Sequence, residues 1–202
     1  MEEKLEQGVD DLYRPHWSIV LLWVLHVGYY LYVSHGQYWV LDSKDLDSYG
    51  ALRTDLVDKG QLWRLIASIF LHANMFHLIL NMLNLHVLAS LLLRISTVSM
   101  VLGVYMLSGI ASSVCTWSIG TFRTVGASGA IFGVMGFLWI VAWKYRSTLQ
   151  GRMGNILRRQ LAFWGVFSLV IGYIVPMIDN HAHIGGLVMG ILLGMLWDLP
   201  ED

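Results

Sequence analysis

Three short groups of polar residues interrupt otherwise apolar sequence, and their side chains are of types that do chemistry. The first holds His72, Asn74, His77, Asn81 and Asn84, the second Gly126, Ala127, Ser128 and Gly129, the third Asn180, His181, Ala182 and His183. Ser128 offers an alcohol and His183 an imidazole able to take its proton. His77 and Asn81 are four residues apart, so on a helix they share one face and can donate to a single point. An alcohol, a base and two convergent donors supply the nucleophile, the general base and the oxyanion stabiliser of an acyl transfer. At the start of a helix, Ser128 would also meet free backbone N–H groups and the positive end of the helix dipole, which favour a developing negative charge.

The elements that must position these groups are read from composition. Of 202 residues, 56% are hydrophobic and 13% charged, against about 25% charged in an ordinary soluble domain. Asp, Glu, Lys and Arg are absent from Pro15 to Leu41, Leu65 to Leu93, Ile95 to Phe122, Thr124 to Trp143, Gln160 to Ile178 and Asn180 to Trp197, which together hold 141 residues. Each run can contain the roughly 20 apolar residues that cross a hydrocarbon layer as a helix. The expectation is an all-α membrane protein, a bundle of six transmembrane helices in a single domain spanning 1–202.

Other classes are excluded on the same footing. A net charge of −1 and the lack of a Lys/Arg-rich segment leave no electrostatic footprint for nucleic acid. The single cysteine, Cys115, cannot form an intrachain disulfide. The acidic stretch Met1 to Asp11 is unlike a basic targeting segment, and no small-residue cleavage site follows the first run, which is therefore read as a retained span.

The first helix is expected over Trp17 to Val33, followed by a long outer loop from 34 to 61 that leads into Trp63 and Arg64. Further helices are expected over Met75 to Leu93, Ser99 to Ile119, Gly126 to Trp143, Leu161 to Val175 and Ala182 to Trp197. Lys144, Arg146, Arg152, Arg158 and Arg159 make the loop before the fifth helix the most basic. Basic loops favour the cytoplasmic side, which puts both termini inside, including a short tail over 1–16. The second, fourth and sixth helices then all run inward from the outer face. Their polar first turns fall at one depth, in the outer half of the membrane.

For Ser128 and His183 to meet, their helices must pack closely. Gly129, Gly133 and Gly136 on one, and Gly186, Gly190 and Gly194 on the other, remove the intervening side chains. Phe132, one turn after Ser128, is placed to floor the imidazole. Taken singly, a membrane serine or histidine is usually a packing residue. His26 and His86 are read as bonding a carbonyl or facing the interface, Asn84 as a bond between helices, and Asp179 and Asn180 as ordinary N-caps.

These motifs resemble those of the rhomboid intramembrane serine proteases over nearly the whole chain. Gly-x-Ser-Gly is met by Gly126, Ser128 and Gly129; Ala-His with glycines three and seven residues later by Ala182, His183, Gly186 and Gly190; His-x4-His-x3-Asn by His72, His77 and Asn81; and a Trp-Arg pair by Trp63 and Arg64. Four motifs in order on the right helices are specific where one alone is weak. The resemblance implies a Ser128–His183 dyad without a catalytic acid in the minimal six-helix form. It also implies oxyanion stabilisation by His77, Asn81 and the Ser128 N–H, an ordering role for His72, no cofactor, and single-span or multi-span membrane proteins as substrates, most simply in a plasma (cell inner) membrane. Phe132 stands where many relatives carry Tyr. His181 is the rival for the base. A non-catalytic relative that binds membrane segments, and a metal-dependent enzyme or transporter using His72, His77, His181 and His183, are the competing readings. The latter lacks a His-Glu-x-x-His motif and any intramembrane carboxylate ligand.

Overall fold

The structure is a computed structural model that describes residues 16–37, 39–120, 123–145, 152–175 and 177–198. The expected N-terminal tail, apart from His16, lies outside the described residues, as does Arg146 of the basic loop.

Six helices of 17 to 23 residues dominate: α1 (Trp17–Ser34), α5 (Met75–Leu93), α6 (Val98–Ile119), α7 (Ser128–Lys144), α8 (Arg152–Ile174) and α9 (Asn180–Leu196). Three of them, α1, α5 and α6, are long and apolar enough to cross a membrane, and α7 and α9 are apolar helices of 17 residues. Their starts follow from capping, in which a side chain accepts from an otherwise unpaired N–H. Asn74 accepts from His77 N, Thr97 from Met100 N and Asp179 from His181 N and Ala182 N. At the other end of α6, Gly120 adopts the left-handed conformation that glycine enters without steric cost.

Helix α7 is the axis of the bundle. It is apolar all round, and such a helix is buried all round. Gly129 to Leu138 are without exception buried, and α5, α6, α8 and α9 surround it. By contrast α8 shows Phe163, Trp164, Val166, Phe167 and Val170 to its surroundings, the kind of large exposed apolar face that a lipid phase covers.

Two boundaries differ from expectation. Helix α8 begins at Arg152, well before Leu161, because residues 152–160 are mostly long-chain helix formers without proline that a hydropathy criterion passes over. The stretch from 34 to 61 is built rather than a plain connector: it holds α2 (Ser43–Ser48), β1 (Leu52–Arg53) and α3 (Thr54–Val57), and α4 (Arg64–Phe70) follows. β1 pairs antiparallel with β2 (Arg123–Thr124), Leu52 opposite Thr124 and Arg53 opposite Arg123. Ion pairs reinforce this ladder. Asp47 accepts from Arg123 Nε and Nη2 at 2.7 Å and from Arg53 Nη1 at 2.9 Å, and the hydrogen bond from Arg53 holds the Asp55 carboxyl below the usual carboxylate range.

Arg64 organises the lobe from inside. Its buried guanidinium donates to the carbonyls of Asp47 and Ala51 at 2.8 and 2.9 Å and to Gln61 Oε1 at 2.8 Å, and it lies 4.6 Å from the Trp63 ring centroid. Replacing it with Met retains the stem and leaves two carbonyls without donors, at about 1–3 kcal/mol each where they stay dry. Arg64→Met is therefore expected to lower the melting temperature and to open residues 42–63 to limited proteolysis ahead of the helices.

Candidate active site

Ser128 is the first residue of α7 and His183 lies in the first turn of α9. They come from segments 55 residues apart, and Ser128 Oγ lies 2.9 Å from His183 Nε2. That is hydrogen-bond distance, within the range a nucleophile and its base require. For the alcohol to donate, the imidazole proton must sit on Nδ1, a tautomer assigned from the bonding pattern.

The approach depends on the glycines. A Cβ at Gly186 would overlap the Gly129 carbonyl oxygen, and one at Gly190 that of Gly133, so α7 and α9 meet backbone to backbone. On another side of α7, a Cβ at Gly129 or Gly133 would run into Ser112 or Ser108 of α6. Small residues thus hold α7 between two neighbours with no side chain to spare.

Among the described residues no carboxylate hydrogen-bonds the imidazole, and His183 Nδ1 is buried without a hydrogen-bond partner. The ring is held by stacking: Phe132 lies parallel to it, with centroids 4.3 Å apart and planes at 8°. The side chain of His181, the rival base, is 42% exposed, with its Nδ1 3.5 Å from Asp179 Oδ1.

His77 and Asn81 face the turn that precedes Ser128. A Cβ at Gly126 would lie 2.6 Å from His77 Cε1, 2.8 Å from its Nε2 and 3.7 Å from Asn81 Nδ2. Asn81 is buried and donates to the His77 carbonyl at 3.0 Å. Gly126 has φ +122°, which L side chains rarely adopt, and its N–H donates to Ser68 O at 2.9 Å. Gly126→Ala is therefore expected to cost about 1–3 kcal/mol in backbone strain and to push the His77 ring aside. A thermal melt and the residual rate of any Ser128-dependent reaction check both effects.

Behind His77 stands His72, fully buried, with ring centroids 5.1 Å apart. His26 follows at 5.6 Å, its Nδ1 bonded to Leu22 O at 2.7 Å and its Nε2 to the Tyr105 hydroxyl at 2.8 Å. His26 thus bonds a carbonyl as expected, and His86 packs edge-on against Trp23. Two residues depart from their expected roles. Asn84 is exposed and donates within its own helix to Leu80 O at 2.8 Å, because the buried face of α5 runs through Leu78, Met82, Leu85 and Ala89. Asn180 is not the cap but the first helical residue, buried and donating to Leu169 O of α8 at 3.0 Å. Among the described residues, no three His, Cys, Asp or Glu side chains are grouped so as to hold a metal ion.

Comparison with known proteins matches residues 59–197 to the family model of the Rhomboid domain. The chain is 31% identical over 160 residues to Rhomboid protease GluP of Bacillus subtilis (strain 168), covering 79% of this chain and 31% of that protein. It is 35% identical over 154 residues to RHOMBOID-like protein 5 of Arabidopsis thaliana, covering 73% and 48%. With RHOMBOID-like protein 6, mitochondrial, from the same plant, it shares 32% over 160 residues, covering 76% and 50%. The chain therefore spans about a third to a half of the length of these relatives.

Proposed function

The chain belongs to the rhomboid family, and on that premise we propose that it is an intramembrane serine endopeptidase that cleaves transmembrane segments of membrane proteins near the outer face. The observation that carries this reading is the 2.9 Å contact between Ser128 Oγ and His183 Nε2.

In the proposed reaction the Ser128 oxygen attacks a peptide carbonyl while its proton passes to His183 Nε2. The oxyanion that forms is met by the backbone N–H of Ser128 at the start of α7 and by the side chains of His77 and Asn81. Collapse of this intermediate breaks the C–N bond, the imidazolium returns its proton to the leaving amine, and an acyl-enzyme remains. Water, deprotonated by the same imidazole, then releases the acyl group and restores Ser128. A substrate helix must unwind locally first, since its backbone in lipid is fully paired; helix-breaking or small residues would ease this. His72 is assigned to ordering the polar cavity behind His77.

The accompanying topology is six spans, α1 and α5 to α9, with both termini cytoplasmic and the site in the outer half of the membrane. The plasma (cell inner) membrane is the proposed location. The acyl-enzyme must be hydrolysed, so in this arrangement water reaches the site from the outer face.

The test is incubation of the purified protein in detergent with a panel of single-span substrates, with the product masses determined. Cleavage within or beside the span, unaffected by a metal chelator, is expected; absence of cleavage across the panel, or its loss on chelation, contradicts the reading. In the same assay Asn81→Ala is expected to lower kcat by about 10²-fold or more, the usual effect of deleting one oxyanion donor.

A further inference from the structure

We infer that Asp179 is a positioning residue for the Ser128–His183 pair, tying the segment that carries the alcohol and the helix that carries the imidazole to one buried carboxylate. The inference rests on the serine-protease reading of that pair.

The Asp179 side chain is 8% exposed. One oxygen, Oδ1, accepts from His181 N at 3.0 Å and Ala182 N at 3.1 Å, which is all that capping α9 requires. The other, Oδ2, is taken by two alcohols from distant elements, Thr116 Oγ1 at 2.5 Å and Thr124 Oγ1 at 2.7 Å. A carboxylate has room for about four donors, and here four are in place. Capping gives no reason for the last two.

The location of those alcohols gives the reason. Thr124 lies in β2, four residues before Ser128, in the segment whose middle is held by the bond from Gly126 N to Ser68 O. Thr116 lies in the last turns of α6, the helix whose serines pack against Gly129 and Gly133. Asp179 itself is four residues before His183, and its carbonyl accepts from His183 N at 3.3 Å. The alcohol-bearing segment, the supporting helix and the imidazole-bearing helix are thus referred to one group. Releasing Thr124 lets the 124–128 segment shift relative to α9, which is the displacement a 2.9 Å contact cannot absorb.

The role inferred is geometric, and an amide can fill it. An asparagine at 179 can cap with its oxygen, while its amide donates to the threonine oxygens, which also accept. The experiment compares kcat and KM for a single-span substrate in the parent, Asp179→Asn, Asp179→Ala and Thr116→Val/Thr124→Val. The double variant leaves the cap untouched. A misplacement of about 1 Å costs about 10²-fold, so Asp179→Ala and the double variant are expected to lose about 10²-fold in kcat with KM changed less than about twofold. Asp179→Asn is expected to stay within about threefold of the parent.

The inference is overturned if the double variant keeps the parent kcat, if KM moves in place of kcat, or if Asp179→Asn loses as much as Asp179→Ala. Should the double variant not fold, Thr124→Val against Thr124→Ser answers the same question: loss in the first with rescue in the second supports the inference, and equal rates overturn it. Ser128→Ala is run alongside. A parent whose cleavage does not depend on Ser128 removes the protease reading, whereas an active, Ser128-dependent parent with indifferent variants overturns only the role of Asp179.

Discussion

Replacing Ser128 with alanine is expected to abolish cleavage of a single-span substrate while leaving the protein folded. Only one oxygen is removed, and its hydrogen bond is to His183 Nε2. A single hydrogen bond contributes on the order of 1 kcal/mol, and the imidazole remains stacked on Phe132, so the melting temperature should change little. The rate should change greatly. Without the alcohol no acyl-enzyme can form, and removal of a nucleophile or its base from such a unit costs about 10⁴-fold or more in kcat. His183→Asn should lose a comparable amount, and the two losses should not add when combined, since each alone disables the same step. Product formation followed over days by mass determination checks this; a Ser128→Ala protein retaining a tenth of the parent rate contradicts it.

The second large effect is expected at a residue that does no chemistry. A Cβ at Gly186 would overlap the Gly129 carbonyl, a backbone atom in the first turn of α7 that cannot step aside as a side chain would. Overpacking a tight interface typically costs 1–3 kcal/mol, occasionally more, and Gly186→Ala is expected at or above about 3 kcal/mol because the obstacle is main chain. Gly186 sits three residues after His183, so any relief that moves α9 away from α7 also parts the imidazole from Ser128. Gly186→Ala should therefore lower the melting temperature markedly and reduce kcat by about 10²-fold even in the folded fraction. Gly190→Ala should destabilise as much, since it meets the Gly133 carbonyl. Normal stability in both variants would mean that the helices do not pack backbone to backbone.

What could be read in the sequence, and what could not, divides along the range of the interactions. Helix α5 begins at Met75 as expected, and Asp179 caps α9 as expected, because capping is a local event that leaves a local signature; the start of α9 at Asn180 rather than Ala182 was not legible. The pairing of Ser128 with His183 was legible as well, although it joins distant segments. The glycine stripes reveal which helices can approach. The floor under the imidazole was legible for a similar reason: Phe132 follows Ser128 by one turn.

Other features left no such trace. That 34–61 is a built lobe depends on Arg64 finding the carbonyls of Asp47 and Ala51, and on Asp47 finding Arg123, pairings with no periodicity to betray them. The partner of Asn84 is not legible because an asparagine in an apolar helix has two outlets, a neighbouring helix or its own carbonyls, and only the orientation of α5 decides between them. Asp179 could be read as a cap, since capping is local; the two threonines that occupy its other oxygen could not be foreseen.

The central claim, that Ser128 is an alcohol activated by His183 in a pocket that water can reach, is tested most directly by covalent trapping. The purified protein is treated with a fluorophosphonate and the site of modification located by tandem mass spectrometry. The account predicts one adduct, on Ser128, formed at a rate that falls sharply in His183→Asn and accompanied by loss of cleavage. Full proteolytic activity with Ser128 unmodified, or an adduct on another residue that abolishes activity, would contradict it.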